Sequence, residues 1–259
     1  MKVNQVKEQL RRGETVFGTM LREFAAPEMC DILAKVGLDF VMLDGEHSTY
    51  SYETVQQLAA VAQANGIACF ARVADADYNL IARMLDAGVE GVMVPRVEDK
   101  ATVEEVVAAV KYPPLGRRGW GLRRIHLGDA PVPIAESVAH FNENTLVIIQ
   151  VESRRALDNL EEMVSVPGVD VALVGPADLS ISLGCPGAFQ GPEMEGALER
   201  VVEVCRRHGV TSAVHFPTVE LWKKWHRQGM RFVLCSNDGA IFTRAAREFI
   251  GQLRKELCD

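Results

Sequence analysis

The chain has 259 residues, 48% of them hydrophobic and 24% charged, with a formal net charge of −7 at pH 7. That apolar share can bury a sizeable core, which excludes a disordered protein. The acidic balance argues against a general polyanion binder, so no nucleic-acid partner is expected.

The opening stretch MKVNQVKEQLRRGE is polar and amphipathic and lacks the apolar core of a secretion signal. No apolar run is long enough to span a bilayer, so no membrane partner is expected. From residue 16 onward, short apolar runs alternate with helical patterns. Strands are predicted over 16–21, 40–45, 68–73, 91–96, 146–151, 171–175, 211–216 and 231–236. Helices are predicted near 27–36, 52–65, 78–87, 99–110, 154–166, 193–208, 218–228 and 239–256. Gly37, Gly66, Gly88, Gly209 and Gly229 each follow a helical pattern, where glycine commonly closes the last turn.

The strands are apolar at nearly every position, as parallel strands covered on both faces are. Eight strand–helix units in a chain of this length fit a (β/α)8 TIM barrel, read as one domain over residues 1–259. The competing open doubly wound sheet usually carries a glycine-rich phosphate loop after its first strand, whereas this turn reads LREFAAPE. One segment breaks the rhythm. Residues 112–141 are rich in Pro, Gly and Arg, and so long an irregular connection is usually functional or an interface. It holds the densest basic cluster, Arg117, Arg118, Arg123 and Arg124, read as a solvated or substrate-facing loop.

None of the cysteines (Cys30, Cys69, Cys185, Cys205, Cys235 and Cys258) forms a CxxC pair, so neither a zinc knuckle nor a thioredoxin-like site is indicated. Cys69 and Cys235 fall inside apolar strands and read as buried small hydrophobes. These features together point to a reducing, cytoplasmic setting.

The chemistry is signalled most clearly by two apolar runs, 146–152 and 169–178, which end in Glu152 and Asp178. The stretch SRRALDNLEEMVSVPG between them reads as a single crossover helix, which would set the two strands side by side, about 4.8 Å apart. Two carboxylates at one end of a sheet suit a hard divalent cation such as Mg2+ or Mn2+. Asp178 could equally cap the helical turn that follows it.

Barrel chemistry collects at the C-terminal ends of the strands. In order, those ends carry Arg22, Asp44–Gly45–Glu46–His47, Arg72, Arg96, Gln150–Val151–Glu152, Gly175–Pro176–Ala177–Asp178, His215 and Asn237–Asp238. The guanidinium of Arg72 matches a carboxylate or 2-oxo acid, or else an internal partner in Asp44 or Glu46. His47 follows a sharp Gly-Glu turn and is suited to general-base work. The Gly175–Asp178 turn offers backbone N–H groups to a substrate carboxylate. All of the lysines fall in helical or terminal segments, so none stands at a strand end where an imine-forming aldolase would need it.

These segments closely resemble the HpcH/HpaI family of metal-dependent pyruvate aldolases, over about residues 13–250. The most specific pieces are LDGEHS (43–48), VPRVED (94–99), KYPPLGRRGWG (111–121), QVESRRALDNL (150–160) and GPADLSISLG (175–184). The resemblance implies a phosphoenolpyruvate/pyruvate-type barrel and a hexamer, a trimer of dimers, that exchanges its C-terminal helix between neighbours. It also implies cleavage of a 4-hydroxy-2-oxo acid to pyruvate and an aldehyde through a metal-stabilised enolate, with Mg2+, Mn2+ or Co2+ as cofactor. By motif match Glu152 and Asp178 take the metal-ligand places, and Arg72 polarises the keto oxygen. His47 takes the place of the base, with Asp86 from an adjacent subunit as its partner. Gln150, Gly175, Pro176 and Ala177 take places lining the pyruvate site.

The chain departs from the family pattern at LRRIHLGD (122–129), at Ser48–Thr49 and at Ser236–Asn237–Asp238. All of these departures bear on the aldehyde half of the substrate, and Arg123, Arg124 and His126 are natural candidates to meet an acidic or polyhydroxylated tail. Two readings keep the enolate site but change the reaction, to oxaloacetate decarboxylation or to lysis of an acyl-CoA. A third is a catalytically silent metabolite-binding barrel.

Overall fold

The computed structural model describes residues 1–129 and 131–258. Ala130, within the 112–141 segment, and Asp259 lie outside the described residues. The chain begins with α1 (Gln5–Arg11), β1 (Val16–Leu21), α2 (Glu28–Lys35), β2 (Phe40–Asp44), α3 (Tyr52–Ala64), β3 (Ala68–Arg72), α4 (Tyr78–Ala87) and β4 (Gly91–Val94). Then come α5 (Lys100–Val110), α6 (Arg124–Leu127), α7 (Ile134–Asn144) and β5 (Leu146–Val151). The remainder is α8 (Arg154–Asp158), α9 (Leu160–Val164), β6 (Val171–Val174), α10 (Pro176–Ser182), α11 (Pro192–His208), β7 (Thr211–Phe216), α12 (Val219–Arg227), β8 (Phe232–Asn237) and α13 (Asp238–Cys258).

Each strand pairs in parallel with its neighbours, and β8 pairs with β1, so the sheet closes in the order β1 to β8. This is the (β/α)8 barrel expected from the sequence. Local signals set the helix starts: the side chains of Ser51, Asp77, Asp99 and Ser153 each accept a backbone N–H of the first turn that follows. No helix among the described residues is long and apolar enough to cross a membrane.

Three sequence expectations change. The crossover between β5 and β6 is two short helices, because Asn159 leaves helical geometry (φ −90°, ψ 5°) and its side-chain amide donates to the Glu98 carbonyl at 2.8 Å. The segment 112–141 is not irregular throughout, since α6 and most of α7 fall within it. Cys235 is only partly buried, unlike Cys69.

Side chains alternate across each strand. Those facing outward, such as Val41, Cys69 and Ile149, pack under the helices, while those facing inward fill the shaft. Near the floor of the shaft, the rings of Phe40 and Phe232 stack with centroids 4.3 Å apart, and Phe70 lies 5.6 Å from Phe40. Gly18 makes room for them, because a Cβ there would sit 2.3 Å from the Phe40 ring. Val6 of α1 packs into the same cluster and closes the floor.

The next inward positions toward the C-terminal ends are polar. Met20 is followed by Arg22, Met42 by Asp44, Phe70 by Arg72, Ile148 by Gln150, and Ala213 by His215. One two-residue period therefore separates a dry shaft from a polar mouth.

On the outer wall, Phe17 of β1 is 48% exposed and borders a groove with Val219, Trp222, Val233 and Cys235. The helix α13 carries an exposed apolar face of Phe242, Phe249, Ile250, Leu253 and Leu257.

The aromatic floor makes a direct stability prediction. Replacing the fully buried Phe40 with Ala should cost about 3–5 kcal/mol in denaturant unfolding. Gly18→Ala, which forces a methyl into the Phe40 ring, should also lower the unfolding midpoint.

Candidate active site

The polar mouth is organised by Asp44, whose carboxylate is fully buried at the end of β2. It accepts from Arg72 Nε at 3.1 Å and Nη2 at 2.8 Å, a two-point contact that fixes the guanidinium plane. Arg22 Nε lies 3.2 Å from Asp44 Oδ2, the oxygen that also accepts from Arg72 Nη2. The backbone N–H groups of Glu46 and His47, both at 3.1 Å, donate to Asp44 Oδ1. Burial alone would raise the Asp44 carboxyl, but Arg72 and these two amides outweigh it and hold it below the usual carboxylate range.

The internal pairing of Arg72 is therefore real. It does not remove the arginine from the site, because Arg72 lines the cleft while its Nη1 reaches Glu46 at 3.3 Å. His47 is turned into the mouth by the same loop, half exposed, with Nε2 at 3.6 Å from Glu46 Oε2.

On the far side, β5 and β6 lie side by side, with Gln150 opposite Leu173 and Val151 opposite Val174. Glu152 continues β5 into the mouth. Its Oε1 accepts the backbone N–H of Arg96 at 2.7 Å, and its Oε2 accepts from the Gln150 side chain. Arg96 stands in left-handed conformation (φ 53°), a strained setting for an arginine that aims its amide at Glu152. The Arg96 guanidinium is held by Glu46 at 2.8 Å and by the Ala74 carbonyl at 2.6 Å.

Burial pushes the Glu152 carboxyl up, and the charge of Asp178 adds to the shift. Asp178 is not a cap, as Gly175 takes the N-cap place of α10 and Asp178 falls in its first turn, with its side chain exposed. Glu152 and Asp178 line one opening together with Glu46, His47 and Arg96. His47 and Asp178 also border a second cleft of about 310 Å³, which contains Arg72, Gln150 and the Gly175–Ala177 turn. A side chain at residue 175 would close it, since a Cβ there would lie 2.7 Å from both Gln150 Nε2 and Glu152 Oε2.

The donor set fits a hard divalent cation. Two carboxylates face one opening, one of them desolvated and raised by the other's charge, and Gln150 Oε1 is buried beside them without a hydrogen-bond partner. Among the described residues no cluster of three or more His, Cys, Asp or Glu is arranged to hold a metal. Two protein carboxylates with water and substrate completing the shell is a common arrangement for such ions.

Two groups of expected residues lie outside the cleft of their own chain. Asp86 sits near the end of α4, where its carboxylate accepts from Arg118 at 3.0 Å, and it has no contact with His47 of its own chain. The cluster expected to meet a substrate tail also lies outside the cleft of its own chain. Arg123 donates to the Asp86 carbonyl, Arg124 pairs with Asp129 at 3.0 Å, and His126 Nε2 donates to the Leu85 carbonyl at 2.8 Å. Arg117 pairs with Glu105, and none of these residues lines the cleft of its own chain.

The sequence pattern offered Asp44 only as an internal partner for Arg72 and gave His215 no role in the site. The available signal was strand parity, which puts both on the inward face with Arg72 and Gln150.

The chain is 33% identical over 255 residues to hydroxypyruvate/pyruvate aldolase of Pseudomonas aeruginosa, covering 97% of this chain and 93% of that protein. It is 33% identical over 246 residues to 2-keto-3-deoxy-L-rhamnonate aldolase of Escherichia coli K12, covering 93% and 90%. The crystal structure of an HpcH/HpaI aldolase from Desulfitobacterium hafniense superposes with a TM-score of 0.91 at 32% identity, covering 96% of both chains. The sequence model of the HpcH/HpaI aldolase/citrate lyase family matches residues 20–245, and the chain belongs to that family.

Proposed function

We propose that this chain, working as a single barrel domain, is a divalent-metal-dependent aldolase that cleaves a 4-hydroxy-2-oxo acid to pyruvate and an aldehyde. The observation that carries the reading is the convergence of Glu152, Asp178, Arg72 and His47 on one mouth, in a chain about 33% identical to two named aldolases. Among the described residues no lysine lines the cleft, so an imine mechanism has no nucleophile there.

Glu152 and Asp178 would hold the cation, which supplies Lewis-acid stabilisation of negative charge at the 2-oxo oxygen. Arg72, locked in plane by Asp44, presents its remaining N–H to the same oxygen and needs no reorganisation as charge develops there. Gln150 and the Gly175–Pro176–Ala177 turn line the space for the pyruvate half, with first-turn N–H groups of α10 facing the substrate carboxylate. The His47 imidazole takes the proton of the 4-hydroxyl. The C3–C4 bond then breaks, its electron pair passes into the pyruvate enolate against Arg72, and C3 takes up a proton to complete pyruvate. A positioned base of this kind contributes about 10²–10⁴ in rate.

Two exposed apolar surfaces support an assembly of several copies. The helix α13 leaves the outer wall of β1 exposed at Phe17, beside a groove with Val219, Trp222 and Cys235, while displaying its own apolar face. Exchange of α13 between neighbouring copies, as in a hexamer, would cover both. The same assembly would bring Asp86 of one subunit to His47 of another, which no contact within the chain provides.

In deuterated buffer with Mn2+, Mg2+ or Co2+, NMR should follow loss of the pyruvate methyl protons, and EDTA should abolish it. Exchange that survives complete metal removal would sink the metal-dependent mechanism. Glu152→Gln, which keeps the shape and removes the charge, should slow exchange by at least about 100-fold. His47→Asn should lower kcat for cleavage by about 10²–10⁴.

Light scattering after size exclusion should give a mass of several subunits. Leu253→Glu and Phe17→Glu should each shift it toward the monomer. An unchanged mass in both would remove helix exchange.

A further inference from the structure

The cleft has two walls of different chemistry. The pyruvate half is accounted for by β3, β5 and β6, through Arg72, Gln150 and the Gly175 turn. The opposite wall is built from the ends of β1, β7 and β8, and Arg22, His215 and Asn237 line it. The aldolase mechanism above gives these three nothing to do, yet each is held in place with hydrogen-bonding capacity left over.

Arg22 is fixed from behind. The Asp238 carboxylate accepts the backbone N–H of Arg22 at 3.2 Å, of Glu23 at 3.1 Å and of Phe24 at 2.9 Å, which pins the whole turn after β1. Its Nε faces Asp44 at 3.2 Å, leaving the two terminal NH2 groups as donors. His215 Nε2 lies 2.9 Å from the Ser236 carbonyl, which can only accept, so the proton is on Nε2 and Nδ1 carries a lone pair. Burial, together with Arg72 and Arg22, pushes the His215 imidazole down, which keeps it in that neutral form. Asn237 Oδ1 accepts the Ala240 N–H at 2.9 Å, so its amide nitrogen remains a donor.

The backbone here is irregular for a reason. The pairing of β1 with β8 shifts register between Gly18 and Met20, and Ser236 stands at φ 62°. Strain of this kind persists where the surroundings impose it, as at binding sites. The shift brings Asn237 level with Met20, on the same rim as Arg22.

The wall therefore offers donors from Arg22 and Asn237 and an acceptor from His215. A hydroxyl group both donates and accepts, whereas a carboxylate only accepts and would meet the Nδ1 lone pair. The charge balance agrees, because Asp44 meets both neighbouring guanidinium groups and Glu46 also meets Arg72 at 3.3 Å, so the protein's own carboxylates offset the two arginines. We propose that Arg22, His215 and Asn237 form a subsite that reads the hydroxyl groups of an uncharged hydroxyaldehyde, the half released together with pyruvate. This inference rests on the aldolase reading.

The test is the kcat/KM for addition of pyruvate to glyceraldehyde, propanal and succinic semialdehyde, all with Mn2+. Sites built to hydrogen-bond a hydroxyl discriminate strongly against analogues lacking it, so glyceraldehyde should exceed both others by at least about tenfold. In His215→Leu the glyceraldehyde-to-propanal ratio should fall by about tenfold. Because His215 also steadies Ser236, Arg22→Met provides an independent check, its backbone being held by Asp238; the ratio should fall there too. A wild-type ratio near one, a preference for succinic semialdehyde, or an unchanged ratio in both variants would overturn the subsite. Wild-type exchange of pyruvate methyl protons separates the two readings. Exchange with a flat aldehyde preference overturns the subsite alone, and no exchange with any metal overturns the aldolase reading and the subsite with it.

Discussion

The buried carboxylate of Asp44 is the interaction on which the mouth of this barrel depends. One group with no solvent access binds Arg72 at two points, touches Arg22, and takes the N–H groups of Glu46 and His47. A cation clamp, a base-bearing loop and the turn after β1 are thereby referred to a single fixed point. Removing one partner of so buried a pair typically costs about 3–5 kcal/mol, because the other is left uncompensated. The cluster is a device for geometry more than for stability, and it holds charged groups still where a reaction would need them.

Opposite Asp44, the Glu152 carboxylate is arranged on the contrary principle. Its neighbours orient it without neutralising it: an amide from a strained Arg96, the Gln150 side chain, and a glycine at 175 that leaves space above it. Desolvation and the nearby Asp178 both raise its carboxyl. One side of the mouth is therefore self-compensated and the other is left short of positive charge, which is the asymmetry a cation and an anionic 2-oxo acid would resolve together.

Much of the fold was legible because its signals are local. Apolar runs of five or six residues, capping Ser and Asp side chains and closing glycines mark the strand–helix units directly. The break at Asn159 was not legible, since the residues around it have helical character and the interruption is tied to a distant carbonyl of Glu98. The helix α7 was obscured by the Pro- and Gly-rich stretch before it. Arg123, Arg124 and His126 look like substrate contacts by residue type; within the chain Arg123 and His126 meet the carbonyls of Asp86 and Leu85 at the end of α4, and Arg124 pairs with Asp129, outside the cleft.

The sequence by itself determined the eight strands, their parallel order and the carboxylates that follow β5 and β6, because these depend on residue type and period along the chain. It also determined which strand-end side chains face inward, since parity passes unbroken from Phe70 to Arg72 and from Ile148 to Gln150. Only the tertiary structure decided which of those side chains are paired and which remain free. Asp44 joins residues from β1, β2 and β3, and the slip between β1 and β8 sets the height of Asn237. Such choices arise when the sheet closes on itself, and closure brings together groups that no local pattern records.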